Sequence, residues 1–170
     1  MTPEDRQLIM GLVHVPGGGR RLSPEEVLQH FRTEDGQALG CRLLQDALDR
    51  RDALDVEMAL ILCTSFGFTA DHVSPLVQLC WAEWHQKHED VVAALSTLRS
   101  PRAVDALHHA AQWVPDYLDY DENRSLAAKA IRGLGALPGP EAEQALMQLL
   151  ESDEAVVRER AAQQLERRKS

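Results

Sequence analysis

The stretch that decides the fold is AAKAIRGLGALPGPEAEQAL, residues 127–146. Alanine, leucine and isoleucine recur in it every three or four residues on both sides of a proline-containing break. This spacing predicts two short helices, each with one apolar face. Pro140 stands where the second helix would begin, and proline is tolerated at that position, so we expect a sharp corner between the helices.

The same unit occurs more than once along the chain. Residues 91–107, VVAALSTLRSPRAVDAL, align with it, and a third copy begins at VRERAAQQL, residues 157–165. A looser copy starts near Val56, which makes the spacing roughly 30–36 residues, the length of a paired-helix repeat. In the best-aligned copies Ala94, Leu95 and Leu98 correspond to Ala130, Ile131 and Leu134.

This pattern resembles HEAT repeats from about residue 90 to the end of the chain. Small alanines let the two helices of a pair approach, while leucine or isoleucine one turn away fills the gap to the next pair. The resemblance implies an all-α fold, an α-solenoid of about four antiparallel helix pairs. We expect one domain over residues 1–170, with repeats in 53–170 and a less regular helical N-terminal cap in 1–52.

The first third of the chain has clear helix starts but shows no family motif. Thr2-Pro3-Glu4-Asp5 and Ser23-Pro24-Glu25-Glu26 each place a capping residue before a proline and two acids, which predicts helix N-termini. A third helix is expected over about 35–51, and Asp52 should cap a fourth that ends near Gly67. PGGGRR, residues 16–21, predicts a loop.

Charge and composition exclude several classes of function. The chain has 27 acidic residues against 18 Lys and Arg, a formal net charge of -9. This balance opposes binding to nucleic acid and favours a basic protein partner. No apolar run approaches the ~20 residues that span a membrane. We expect no secretion signal, and three reduced cysteines in a cytoplasmic protein.

No catalytic or metal site is expected. His85 and His88 are three residues apart and could share a metal, but no further ligand stands at a suitable spacing nearby. The segment between them predicts a solvated helix end. We therefore predict no metal, no cofactor and no enzymatic activity.

WVPDYLDYDEN, residues 113–123, is the strongest candidate for a binding surface. It carries three aromatic and four acidic residues around Pro115, which should end the preceding helix. One interpretation is a partner-binding surface, and its candidate residues are Trp113, Asp116, Tyr117, Asp119, Tyr120, Asp121 and Glu122. The other is structural: Tyr117 and Leu118 fill a gap between repeats while Asp121 and Glu122 cap the next helix. Both interpretations can hold together.

A second candidate is CWAEWH, residues 80–85. Its two tryptophans, Trp81 and Trp84, are three residues apart, which would place them on one helix face. Core packing between repeats is one interpretation. The other is that Trp84 is exposed and contacts a partner, because tryptophan is enriched at interface hot spots.

Residues 116–167 also resemble the C-terminal half of small bacterial HEAT-like immunity proteins of polymorphic toxin systems. The shared features are Tyr-Leu-x-Tyr-Asp at 117–121, Lys-Ala-Ile at 129–131 and Pro-Glu-Ala at 140–142. This resemblance implies a cytoplasmic antidote that binds a toxin domain and blocks its basic active-site surface. The alternative is a HEAT-repeat scaffold or adaptor subunit of an endogenous complex.

Overall fold

The structure is a computed structural model that describes residues 1–13 and 20–169. In these residues it contains ten α-helices, three short 3-10 helices and no strand, so the all-α prediction is confirmed. The predicted PGGGRR loop lies outside the described residues except for Arg20 and Arg21. The α-helices are α1 (Pro3–Met10), α2 (Pro24–Phe31), α3 (Gly36–Arg50), α4 (Ala53–Phe66), α5 (Val73–Cys80), α6 (His88–Leu98), α7 (Val104–Gln112), α8 (Ser125–Ala136), α9 (Pro140–Leu149) and α10 (Ala155–Lys169).

The predicted capping residues begin their helices. The Thr2 hydroxyl accepts a hydrogen bond from the amide of Asp5 at 3.1 Å, and the Asp5 carboxylate accepts one from the amide of Thr2 at 2.8 Å. Ser23 and Glu26 form the same reciprocal pair at the start of α2. The Asp52 carboxylate accepts from the amide of Asp55 at the start of α4. These bonds satisfy backbone donors that a helix N-terminus leaves free.

The chain divides into two compact units, Met1–Pro75 and Leu76–Ser170, and the division falls within α5. In the first unit α3 and α4 form a helix pair joined by two residues, and α1 packs on α4. Gly40 permits this close packing, because a Cβ there would lie 2.7 Å from the Sγ atom of Cys63. A helix pair therefore spans the predicted boundary at residue 52, and the assignment of a single domain stays a prediction.

A buried carboxylate joins three segments of the first unit. Asp55 is fully buried, and its oxygens accept hydrogen bonds from Arg6 Nε at 2.6 Å, from Arg50 and from the amino group of Met1. Burial alone would raise the pKa of Asp55. The three hydrogen-bonded cations outweigh burial and lower that pKa to about 2. The carboxylate is therefore ionised at neutral pH.

The second unit has the stacked helix pairs of an α-solenoid. The pairs are α6 with α7 and α8 with α9, and α8 is central because it also packs against α6, α7 and α10. The aligned residues Ala94, Leu95, Ala130 and Ile131 are all buried in its core. The spacing of small and large apolar residues in the repeats therefore marks the helix faces that pack together.

Gly133 allows α6 and α8 to approach closely. A Cβ on it would lie 2.3 Å from Ser96 Oγ, which is held by a hydrogen bond to the carbonyl of Val92. We expect Gly133→Ala to lower the free energy of unfolding by about 1–3 kcal/mol through overpacking. Gly135→Ala is the matched control, because its nearest atom is the movable end of Gln164, and it should change stability by less than about 0.5 kcal/mol. Urea denaturation measures both; equal losses would contradict this account.

Candidate functional site

Two irregular segments of the second unit build the candidate site. The first is the Trp–His turn, residues 81–87, and the second is the acidic aromatic loop, residues 113–123. The prediction that Trp81 and Trp84 share a helix face is wrong, because α5 ends at Cys80. The His85 side chain donates a hydrogen bond to the carbonyl of Leu79 at 2.8 Å, so it satisfies an acceptor in the last turn of α5.

The acidic aromatic loop begins where Pro115 prevents α7 from continuing. α7 ends at Gln112, Trp113 is extended, and a 3-10 helix follows at Asp116–Leu118. Asp121 then accepts hydrogen bonds from the backbone amides of Asn123 at 3.1 Å and Ser125 at 2.6 Å. These bonds lower the pKa of Asp121. Asp121 therefore shapes the turn into α8, although the residue at the N-cap position of α8 is Arg124, which makes no capping hydrogen bond through its side chain.

Buried histidines join the two segments. His85 and His88 are each 1 % exposed, so the predicted solvated helix end is wrong. The Nε2 atom of His88 donates to the carbonyl of Ala82 at 2.9 Å, and its Nδ1 atom accepts from the Tyr117 hydroxyl at 3.1 Å. In His85, Nδ1 accepts from the amide of Lys87 at 3.0 Å. All four ring nitrogens are thus occupied by protein groups.

The rings of the two segments, together with His88 of α6 and His109 of α7, form a continuous series of contacts. His85 stacks on His88 at 4.1 Å between ring centroids, and Trp81 stacks on His109 at 3.9 Å. Trp113 lies between His88, which it meets edge-on at 4.8 Å, and His109, on which it stacks at 5.3 Å. The series continues through Trp84 against His85 and Tyr117 against His88. Trp84, Trp113 and Tyr117 are therefore each in contact with the imidazole ring of a histidine.

An open cleft of about 520 Å³ lies between the Trp–His turn and the acidic aromatic loop. Trp84, Trp113 and Tyr117 line it and are half-buried, while His85 and Pro115 are buried beneath. Burial raises the pKa of Tyr117, and the nearby carboxylates of the first turn of α6 raise it further. The Tyr117 phenol is therefore neutral at physiological pH and its hydroxyl stays a hydrogen-bond donor to His88.

The cleft has a negative rim. Glu83 and Asp116 line it and are exposed to solvent. No lysine or arginine is among the described residues that line it. The arrangement offers aromatic surface and carboxylates together, which suits a cation that is attracted by both. It does not suit an anion.

Four of the predicted site residues lie in the cleft and four do not. Trp84, Trp113, Asp116 and Tyr117 line it, whereas the other four lie along the remainder of the loop. There Tyr120 is 81 % exposed, Asp119 and Glu122 are exposed, and Asp121 is occupied by its two backbone bonds. The ring of Tyr120 therefore lies at the surface of the loop, while Tyr117 and Leu118 are half-buried.

Sequence reasoning missed four residues of the cleft. Glu83 supplies part of the rim and Gln86 is exposed, while His85 and Pro115 are buried. The available signal was the density of rings in CWAEWHQKH, residues 80–88, which holds two tryptophans and two histidines. Such a density in a segment between two helices indicates packing or binding by aromatic surface rather than a solvated end.

A second open cavity, of about 430 Å³, lies between α8 and α10 and has the opposite charge. Arg132, Arg160 and Arg167 line it, and Glu159 is the one acid among its described lining residues. The two cavities therefore favour different partners, and of these two only the first is lined by residues that the sequence predicts to bind a partner. Among the described residues no group of three or more His, Cys, Asp or Glu side chains could hold a metal ion.

The buried imidazoles make the fold of the second unit sensitive to acid. Burial and, to a smaller extent, neighbouring His85 lower the pKa of His88 from 6.5 to about 4. Between these values the unfolded chain binds more protons than the folded one, so stability falls as pH drops from 6.5 towards 4. We expect the free energy of unfolding to be about 2 kcal/mol lower at pH 5 than at pH 7 because of His88.

Urea denaturation at the two pH values measures this loss. His88→Gln is the control, because its amide can still donate to the carbonyl of Ala82 but does not titrate. The variant should lose about 2 kcal/mol less than the wild type between pH 7 and pH 5. Equal losses in both proteins would show that His88 is not the responsible group.

Comparison with known proteins agrees with a helical repeat in the last third of the chain. Residues 114–170 match the family model of HEAT repeats. The match covers about a third of the chain and includes α8, α9, α10 and most of the acidic aromatic loop. Searches of curated proteins and of solved structures give no match. HEAT repeats generally mediate contacts between proteins.

No helix among the described residues is long and apolar enough to cross a membrane.

Proposed function

We propose that the chain is a non-enzymatic protein-binding module whose docking surface is the cleft together with the exposed side of the acidic aromatic loop. The observation that carries the proposal is the cleft itself, with three aromatic side chains, two carboxylates and no cation among its described lining residues. Pro115, Asp116 and Tyr117 of the cleft belong to the segment that matches HEAT repeats. Half-buried tryptophan and tyrosine provide rigid contact area with a polar tip, as interface hot spots do.

The charge of the surface indicates the kind of partner. Asp119 and Glu122 extend the negative rim beyond Glu83 and Asp116, and both are exposed. The whole chain is also acidic, with a net charge of -9. A partner with a basic surface would be attracted over a distance of about 10 Å at ordinary salt concentrations. The partner is therefore a protein with a basic face.

In its specific form the proposal is that the partner is a toxin or effector domain and that this chain is its immunity protein. The support is the resemblance of residues 116–167 to small bacterial HEAT-like immunity proteins. The acidic loop would cover a basic active-site surface and block it. The alternative form is a scaffold or adaptor subunit that docks a resident subunit of an endogenous complex through the same surface.

Capture from the native lysate tests the proposal. Tagged wild-type chain and a Trp84→Ala variant are used side by side at low and high salt, and bound proteins are identified by mass spectrometry. We expect one dominant basic partner that is retained by the wild type and lost by the variant. A toxin-like domain whose growth inhibition the chain relieves on co-expression supports the immunity form. A partner retained equally by both proteins would overturn the docking surface.

The carboxylates should control how fast that partner associates. Asp116→Asn with Asp119→Asn removes two charges and leaves Asp121, which holds the start of α8, unchanged. We expect the association rate at low salt to fall about tenfold and its dependence on salt to weaken. Biolayer interferometry over a salt series measures both quantities. An unchanged rate and an unchanged salt slope would contradict the role of the acids.

A further inference from the structure

We infer that the cleft is a pocket for one arginine side chain of the partner. This inference rests on the proposed docking surface and makes it more specific. Trp84, Trp113 and Tyr117 line the cleft on the aromatic side, and the carboxylates of Glu83 and Asp116 line its rim. A guanidinium is planar, stacks on aromatic rings and donates paired hydrogen bonds to carboxylates. No other side-chain cation combines these properties.

The aromatic rings are held in place before any partner arrives. Trp113 packs between His88 and His109, and the Tyr117 hydroxyl donates to His88. Trp84 meets His85 edge-on at 5.2 Å. His85 and His88 are in turn fixed by hydrogen bonds to backbone groups of α5 and of the Trp–His turn. A cavity whose walls are already ordered loses less conformational freedom on binding, so a single side chain can be held effectively.

The neutral state of His85 and His88 keeps positive charge away from the cleft. The Nε2 atoms of both buried rings donate to carbonyl oxygens, and their Nδ1 atoms are occupied as acceptors. The rings therefore add no positive charge beneath the cleft near neutral pH. A cation in the cleft therefore meets aromatic surface and carboxylates and is not repelled by His85 or His88.

Titration of the full chain with N-acetylarginine amide tests the inference. The chain has three tryptophans, so its proton–nitrogen correlation spectrum contains three indole signals that single Trp→Phe variants assign. The signals of Trp84 and Trp113 should move and saturate, while that of Trp81, which does not line the cleft, should move least. N-acetylcitrulline amide has the same shape without the charge and should produce no saturable shift.

Two variants with the same change in charge separate the cleft from the loop. Glu83→Gln with Asp116→Asn neutralises the rim and should weaken binding of the arginine probe about tenfold. Asp119→Asn with Glu122→Gln neutralises two exposed acids outside the cleft and should leave it within about twofold. Equal weakening by both pairs, or equal binding of arginine, citrulline and N-acetyllysine amides, would overturn the arginine pocket.

The titration with the arginine probe and the capture of the partner from lysate can fail independently of each other. If Trp84→Ala loses the captured partner but the arginine probe shows no saturable shift, the arginine pocket is wrong and the docking surface stands. If the partner is retained by Trp84→Ala and the probe is also silent, both are wrong.

Discussion

Trp84→Ala should weaken binding of the captured partner by about 30-fold to 1,000-fold, which corresponds to about 2–4 kcal/mol. Trp84 is half-buried, lines the cleft and packs edge-on against His85. Its removal takes away one aromatic wall where a partner side chain would be desolvated. Isothermal titration calorimetry with the purified partner measures the dissociation constant.

Trp81→Ala is the matched control for this prediction. Trp81 is 51 % exposed and is three residues away in the same turn, but it does not line the cleft. We expect its removal to change the dissociation constant by less than about fivefold, because exposed contacts at the edge of an interface contribute little. Equal losses from Trp81→Ala and Trp84→Ala would mean that the partner does not use the cleft.

Asp55→Ala should lower the free energy of unfolding of the first unit by about 3–5 kcal/mol. The substitution removes a fully buried carboxylate that accepts from both Arg6 and Arg50, and leaves these two cations only the more exposed carboxylate of Asp52 in common. Because the folded-state pKa is about 2 against 3.8 for the unconstrained group, the wild-type contribution is present above pH 3.8 and is lost as pH falls towards 2. Urea denaturation followed by circular dichroism measures the loss.

Asp46→Ala is the control for Asp55→Ala. Asp46 also pairs with Arg50, at 2.7 Å, but half of its side chain is exposed to solvent. An exposed pair four residues apart on a helix contributes about 0.3–0.5 kcal/mol. A loss from Asp46→Ala as large as that from Asp55→Ala would show that the charge of Arg50, rather than the buried carboxylate, determines stability.

The sequence predicted those helices whose boundaries follow from local chemistry. Thr2, Ser23 and Asp52 begin helices because their side chains accept hydrogen bonds from nearby amides. The repeated small and large apolar residues predicted the pairs of the second unit because spacing alone determines which face of a helix is buried. The C-terminal ends of several helices were harder to predict from the sequence. Arg32, Arg51 and Arg99 end helices in the left-handed conformation that glycine usually adopts.

The candidate site was predictable in composition but not in geometry. The density of aromatic and acidic residues identified the acidic aromatic loop, and Pro115 correctly predicted the end of α7. Nothing local revealed that His88 lies against Tyr117, because the two residues are 29 positions apart. The burial of His85 and His88 depends on that long-range contact. The spacing of Trp81 and Trp84 therefore predicts a helix, whereas tertiary packing determines the conformation of this segment.

Hydrogen–deuterium exchange of the chain with and without its captured partner shows which surface the partner covers. We expect new protection in residues 81–87 and 113–120, which line the cleft and the exposed side of the loop. We expect no change between α8 and α10, where Arg132, Arg160 and Arg167 line the cavity of opposite charge. Protection confined to that arginine-lined cavity would show that the cleft is not the docking surface and that the partner has an acidic face.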